Sequence, residues 1–176
     1  MRRLSPPAEL TECSVATVES PIGPIVLEAD TEAVTRIWLP GTGPGVLAGP
    51  RGAPGPEPLD GPAATAAAEL GEYFAGHRRG FSVPFRLGGT PFQRAVWTAL
   101  GSIPFGETVS YRELAEIVGR PSAFRAVGQA NGANPIPIVL PCHRVIAADG
   151  GIGGYGGGVA MKRALLALEG VELPAR

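Results

Sequence analysis

The densest group of reactive side chains in the chain lies in the run NPIPIVLPCHRVI, residues 134–146. Cys142, His143 and Arg144 are set there among Ile136, Ile138, Val139, Leu140, Val145 and Ile146, apolar residues that belong inside a protein. A free Cys is at home in such surroundings. A His and an Arg are not, because burial costs free energy unless partners satisfy them. The thiolate is the nucleophilic form of Cys, a nearby cation lowers a thiol's pKa, and a neighbouring His can take the thiol proton. The triplet can therefore build a cysteine nucleophile; it can equally be a structural Cys beside a satisfied core His. Side chains adjacent on a strand point to opposite faces. For His143 to serve Cys142, the segment must start a helix or a water must bridge the two.

The elements that position this run follow from periodicity. FQRAVWTALGSI repeats apolar residues at Phe92, Ala95, Val96, Ala99 and Leu100, one face of a helix. Ser110 and Glu113 have the spacing of a capping box, which opens a helix over YRELAEIVG, ending at Gly119. Pro121 suits a first helical position, and SAFRAVGQAN then runs to Gly132. Two short helices joined by a Gly-containing turn have a helix-turn-helix shape, although many such hairpins touch no DNA. The second helix is rich in small residues (Ser122, Ala123, Ala126, Gly128, Ala130), with Arg125 as its charge. Small residues let a backbone approach DNA closely without reading its sequence, and they serve tight helix packing equally well.

The first half has another texture. Residues 14–39 alternate as two or three short strands, with turns near Pro21–Gly23 and Asp30–Glu32. From Pro40 to Pro62, 14 of 23 positions are Gly or Pro, which predicts a long, mobile surface loop. Ala63–Phe74 has helical composition, and FSVPFRL (81–87) reads as a further strand. The expectation is an α+β N-terminal domain over 1–89 and a mostly helical domain over 90–176.

Composition bounds the possibilities. At 176 residues and 44% hydrophobic, the chain is long enough for a buried core. Mean hydropathy is +0.14, yet no apolar run approaches the ~20 residues of a membrane span. The start, MRRLSPPAEL, has no apolar segment behind its arginines, so it does not read as a signal peptide. The chain is expected to be cytoplasmic, with no membrane partner. Two Cys and two His are too few for a disulfide framework or a metal site. A Cys13–Cys142 bridge is disfavoured in a reducing compartment. Net charge is −1, which excludes a basic DNA-coating protein. The charge is uneven: 7 Arg against 10 acids in 1–89, and 7 Arg with 1 Lys against 6 acids in 90–176. A polyanion would meet the second half.

PCHRVI resembles the signature of the O6-alkylguanine-DNA alkyltransferases, also called methylated-DNA–protein-cysteine methyltransferases. TPFQRAVW, IPFGETVSY, RAVGQANGANP, GYGGG and KRALLALEG follow the family's order and spacing, so the resemblance is strong over residues 90–170. Over the first half it rests mainly on SPIGPI at 20–25. The resemblance implies an RNase-H-like small antiparallel sheet with a helix, followed by a domain with a winged helix-turn-helix. It implies single-turnover, irreversible transfer of an alkyl group from O6-alkylguanine, or O4-alkylthymine, in double-stranded DNA, by a monomer without cofactor or metal. Cys142 would be the acceptor, His143 its base through a water, and Glu169 the group that holds His143. Asn134 would tie the helix-turn-helix to the active-site loop, and Tyr111 would hydrogen-bond a purine ring nitrogen. The carbonyls of Cys142 and Val145 would take the guanine amino group. Tyr155 and Gly156 would face the guanine. Ser122, Ala123 and Ala126 would lie along the minor groove, with Arg125 filling the gap left by the flipped nucleotide. Arg144 would be structural, its acid partner unidentified.

Three positions depart from the family pattern. Phe124 stands where a small residue is usual, Gly156 where some members have Ser, and the 40–62 loop is longer and richer in Pro and Gly. Rival readings are a lesion-binding module without chemistry, a transcriptional regulator and a multiple-turnover cysteine hydrolase. Cys142 argues against the first, and the lack of an extra DNA-reading domain or Cys-rich metal region against the second. Single turnover would exclude the third.

Overall fold

The computed structural model describes residues 14–42 and 60–173. Strands β1 (Ser14–Val18), β2 (Ile25–Ala29) and β3 (Val34–Trp38) form an antiparallel meander in the order β1-β2-β3. The strands and both turns match the sequence expectation. In β2, Ile25, Leu27 and Ala29 are buried while Val26 and Glu28 are half-buried, the period of two that puts one face on a core. The β2–β3 turn is held by Asp30, whose Oδ1 accepts from the amides of Glu32 and Ala33 at 2.9 Å each.

Helix α1 (Gly61–Phe74) covers the sheet with Ala63, Ala66, Leu70 and Tyr73. It starts two residues before the expected Ala63, within the Gly/Pro-rich stretch. The rest of that Gly/Pro-rich stretch, residues 43–59, lies outside the described residues, as does Cys13. The strand expected over 81–87 does not form. Only Phe85 bridges to Val34, through Val34 N to Pro84 O and Arg86 N to Val34 O, both 2.9 Å. Pro84 has no amide proton to extend a ladder. The segment is secured instead by the buried Glu69 of α1, which accepts from the amides of Ser82 and Val83.

Helix α2 (Pro91–Leu100) opens with a Thr90/Gln93 capping box that the sequence reading passed over. Gly89 turns the chain into it at φ +80°, where a Cβ would meet the Trp97 ring at 2.8 Å, so only Gly fits. Helix α3 (Tyr111–Ile117) has the expected Ser110/Glu113 box. Pro121 begins a 3₁₀ turn, Pro121–Ala123, and α4 (Phe124–Gly132) follows it. Trp97 Nε1 donates to Ala130 O at 2.7 Å and pins α2 to α4. A short parallel pairing joins β4 (Val109–Ser110) to β5 (Val145–Ile146). That pairing brings the residues just after Cys142 against the start of α3. Helix α5 (Val159–Leu168) closes the fold, ending at the buried Glu169. Among the described residues no helix is long and apolar enough to cross a membrane.

Candidate active site

Cys142, His143 and Arg144 form a single 3₁₀ turn between the 134–141 loop and β5. This local helix start is one of the two geometries that the sequence left open. The loop before it carries strain: Ile138, fully buried, sits at φ +74°, a region that β-branched side chains rarely occupy. Asn134 braces it, with Nδ2 donating to Leu140 O at 2.7 Å and Oδ1 accepting from Ile136 N at 3.0 Å. Asn134 thus connects the end of α4 to the approach to Cys142.

Behind the turn, Glu169 gathers the polar groups. Its Oε1 meets His143 Nε2 at 2.9 Å, Arg144 Nη2 at 2.9 Å and the Tyr73 hydroxyl at 2.7 Å. Its Oε2 takes Arg144 Nε at 2.8 Å and the Gly106 amide at 3.2 Å. Burial alone would raise the Glu169 pKa; hydrogen bonds from His143 and Arg144 overcome it and bring it down to about 2. A carboxylate ionised throughout the neutral range only accepts hydrogen bonds, so the proton of neutral His143 sits on Nε2. Burial also lowers the His143 pKa, which favours the neutral ring. Nδ1 is then a free lone pair, buried and without a hydrogen-bond partner. That is the state a general base requires.

The thiol differs from the sequence expectation. Cys142 is a free, buried thiol whose pKa is raised, chiefly by burial. The neighbouring Arg144 does not serve it, because its guanidinium is spent on Glu169 and on Ile103 O at 2.6 Å. The cation that favours the thiolate is Lys162 of α5. Lys162 is fully buried, with Nζ donating to the carbonyls of Val145 (2.5 Å), Ile152 (2.6 Å) and Gly154 (3.2 Å). Burial lowers its pKa to about 8. The sequence did hold a signal for it: Lys162 shares the helical spacing of the buried Leu165, Leu166 and Glu169.

Cys142 opens on a cavity of about 420 Å³ lined also by Tyr111, Asn134, Gly154, Tyr155 and Gly156. The structure therefore brings most of the expected site residues together. The Tyr111 hydroxyl lies 3.4 Å from Gly154 O, and burial followed by the nearby Cys142 raises its pKa, keeping it a donor. The same two causes push Tyr155 well above the ordinary phenol value. Gly128 adjoins Tyr111, where a Cβ would lie 3.6 Å from its ring. The two carbonyls expected to take an amino group each have a protein neighbour: Lys162 at Val145 O and, at 3.4 Å, Asn131 Nδ2 at Cys142 O. Cys142 O also accepts from the Val145 amide, the bond that closes the 3₁₀ turn. The opposite wall was not legible in the sequence. Arg36, Trp38 and Leu39, from β3 and its end, face the cavity. Ile37 N donates to Pro135 O at 2.9 Å, fastening β3 to the active-site loop.

Arg125 stands apart from this cluster. It is exposed near the start of α4, has no ion pair among the described residues, and lies 5.7 Å from the Phe124 ring centroid. Phe124 is 41% exposed, so it is not a core residue. Ser122 and Ala126 are exposed and Ala123 half-buried on the same rim.

The comparisons with known proteins agree with this geometry. A family model described as "6-O-methylguanine DNA methyltransferase, DNA binding domain" matches residues 91–171. A methylated-DNA–protein-cysteine methyltransferase of Mycobacterium tuberculosis is 46% identical over 172 residues, covering 90% of this chain and 93% of its own. A protein of the same name from Methanosarcina acetivorans is 42% identical, covering 88% of this chain and 97% of its own. The fold matches the crystal structure of Mycobacterium tuberculosis OGT in complex with DNA at TM-score 0.74 and 44% identity, over 87% of this chain and 90% of that one. With the relatives' similarity spanning both halves of the sequence, the chain belongs to the 6-O-methylguanine DNA methyltransferase family.

Proposed function

We propose that the chain reverses alkylation damage in DNA by moving the alkyl group of O6-alkylguanine onto Sγ of Cys142, once per molecule. The observation that carries this reading is a free thiol opening on a cavity beside a neutral His whose Nδ1 has no partner. The thiol proton passes to His143 through a water, and Glu169 stabilises the imidazolium that forms, the nucleophile–base–orienter arrangement of hydrolase triads. The S–C bond forms as the bond from O6 to the alkyl carbon breaks. Guanine regains its O6 carbonyl, and its ring takes a proton in place of the alkyl group. Tyr111, held protonated, hydrogen-bonds a ring nitrogen as the base departs. The carbonyls of Cys142 and Val145 receive the guanine amino group, and the Tyr155–Gly156 backbone faces O6. A thioether has no route back to thiol under mild conditions, which fixes the single turnover.

A buried thiol reaches a stacked base only if the nucleotide is extruded, at a cost of a few kcal/mol. We infer that α3, the 3₁₀ turn, α4 and the β4–β5 pair act as a winged helix-turn-helix. In this reading Ser122, Ala123 and Ala126 lie along the minor groove, and Arg125 enters the stack. The exposure of Arg125 and Phe124 supports it. The three-stranded meander under α1 supports an RNase-H-like N-terminal domain, with a boundary near residue 89. A lesion-binding module without chemistry would not need Cys142 at the cavity.

Incubation with excess duplex DNA carrying O6-methylguanine, followed by mass spectrometry, tests the assignment. One methyl group per chain on Cys142 is expected; repeated turnover, or label on Cys13, would overturn it.

A further inference from the structure

Besides Arg144, His143 and the Gly106 amide, Glu169 receives a hydrogen bond from the other half of the chain. Tyr73, on α1 and 96 positions away in sequence, is fully buried and donates its hydroxyl to Oε1 at 2.7 Å. Its ring is fixed by aromatic neighbours: Phe74 edge-on at 5.3 Å, Phe81 at 5.6 Å and Phe105 edge-on at 6.2 Å. Phe105 also lies under the Arg144 guanidinium, 5.8 Å from ring centroid to Cζ. Packing is therefore provided by the ring, and a Phe would supply it. Nor does the hydroxyl rescue an orphaned acceptor, since Oε1 already meets His143 Nε2 and Arg144 Nη2. What the hydroxyl adds is a third, uncharged donor on the oxygen that holds the catalytic imidazole.

We propose that Tyr73 is a positioning residue for alkyl transfer: through its hydrogen bond to Glu169 it sets how strongly that carboxylate holds His143. The inference rests on the His143–Glu169 relay described above and makes α1 of the N-terminal half part of it. The charged and titratable groups around the relay are few. His143 is faced by Glu169, Arg144 and Lys162; Glu169 by His143, Arg144 and Tyr73; Tyr73 by Glu169 and Arg144, with Tyr155 acting on it at longer range. A donor on Oε1 draws negative charge away from the imidazole. Its loss leaves a more basic carboxylate, which holds a proton on His143 more firmly. Neutral His143, the reactive form, then persists over a narrower range at the acid end.

The test is the pH dependence of single-turnover transfer by the full chain, from duplex O6-methylguanine and from free O6-benzylguanine. Tyr73→Phe should move the acid limb to higher pH by about half a unit. On that limb the rate at fixed pH falls about threefold, while the plateau stays within about 1.5-fold. Both substrates should show the shift, because the relay serves both. Fluorotyrosine placed at position 73 keeps the packing and donates more strongly, so it should move the limb to lower pH. An acid limb unmoved by both replacements, with only thermal stability changed, would reduce Tyr73 to a structural residue. His143→Ala separates the two levels. If it reacts at the wild-type rate, the relay itself fails; if it is crippled while the Tyr73 variants leave the profile unmoved, only the role of Tyr73 fails.

Discussion

Arg144 and Glu169 are joined by two parallel hydrogen bonds, Nε to Oε2 at 2.8 Å and Nη2 to Oε1 at 2.9 Å. This fork fixes the plane of the carboxylate and leaves Oε1 directed at His143. Arg144, two residues after Cys142, therefore acts on the carboxylate behind His143. Arg144→Ala would leave Glu169, 5% exposed, without its guanidinium partner. Its expected cost is roughly 3–5 kcal/mol of folding stability, as for other broken buried pairs, read from the denaturant midpoint.

The same carboxylate sets the response to acid. Its pKa, about 2 against an ordinary 4.5, is depressed in the fold. Its contribution is thus fully present above pH 4.5 and lost as pH falls toward 2. The size is about 3 kcal/mol, at 1.36 kcal/mol per unit. His143 is also depressed, from 6.5, so the unfolded chain takes up that proton first and stability begins to decline below pH 6.5. Thermal midpoints between pH 7 and pH 3 should fall in these two stages. Glu169→Gln should shrink the second stage, to which the depressed carboxyls of Asp30, Glu69 and Glu113 also contribute, and keep the first.

Replacement of the reacting groups should separate chemistry from binding. Cys142→Ala is expected to abolish transfer and keep DNA affinity within a few-fold, because phosphate and groove contacts carry most of the binding. His143→Ala should slow transfer by roughly 10²- to 10⁴-fold, the contribution of a general base. An unchanged rate in single-turnover assays would mean that the thiolate forms by another route.

Arg125 tests flipping independently. With no ion pair to lose among the described residues, Arg125→Ala should leave the thermal midpoint unchanged. Duplex repair should slow by at least ~10-fold, the equivalent of about 1.4 kcal/mol. Reaction with free O6-benzylguanine, which needs no extrusion, should change by less than about threefold. Equal duplex rates in wild type and variant would end the wedge assignment. Phe124→Ala, from a 41% exposed site, should likewise preserve stability; a duplex-only defect would make Phe124 a second wedge.

Gly156 leaves open space at the cavity. A Cβ there would find its nearest neighbour, Gly132 O, at 3.9 Å, so Gly156→Ser should fold normally. With the lesion placed as proposed, the new hydroxyl would add a donor beside the lesion oxygen, a hydrogen bond worth about 0.5–1.5 kcal/mol. The expected outcome is a rise of roughly three- to tenfold in the rate ratio of O6-methylguanine to O4-methylthymine repair. Equal ratios in competition assays would show that the backbone already sets the preference.

Short-range features of this protein were legible from neighbouring residues. The alternation over 14–39 and the capping box at Ser110 act within a few residues of chain and formed as expected. The apolar face of α2 formed in part: Val96 and Leu100 are buried, but Ala95 is exposed and Trp97 is buried in its stead. The run at 134–146 and the family resemblance likewise point to Cys142, His143 and Glu169, and the fold places Glu169 against His143 in the turn that carries Cys142. The strand expected over 81–87 failed because strand pairing needs a partner's amides and carbonyls, and Pro84 offered too few. The partners of the reactive groups came from long-range packing. Arg144 turned from the thiol to Glu169, Lys162 was buried within electrostatic reach of Cys142, Tyr73 was brought to Glu169 from α1, and β3 became a wall of the cavity. Each of these contacts joins residues far apart in the chain. Their energies come from burial and from hydrogen bonds made in a low-dielectric interior, which exists only once the two halves have packed together.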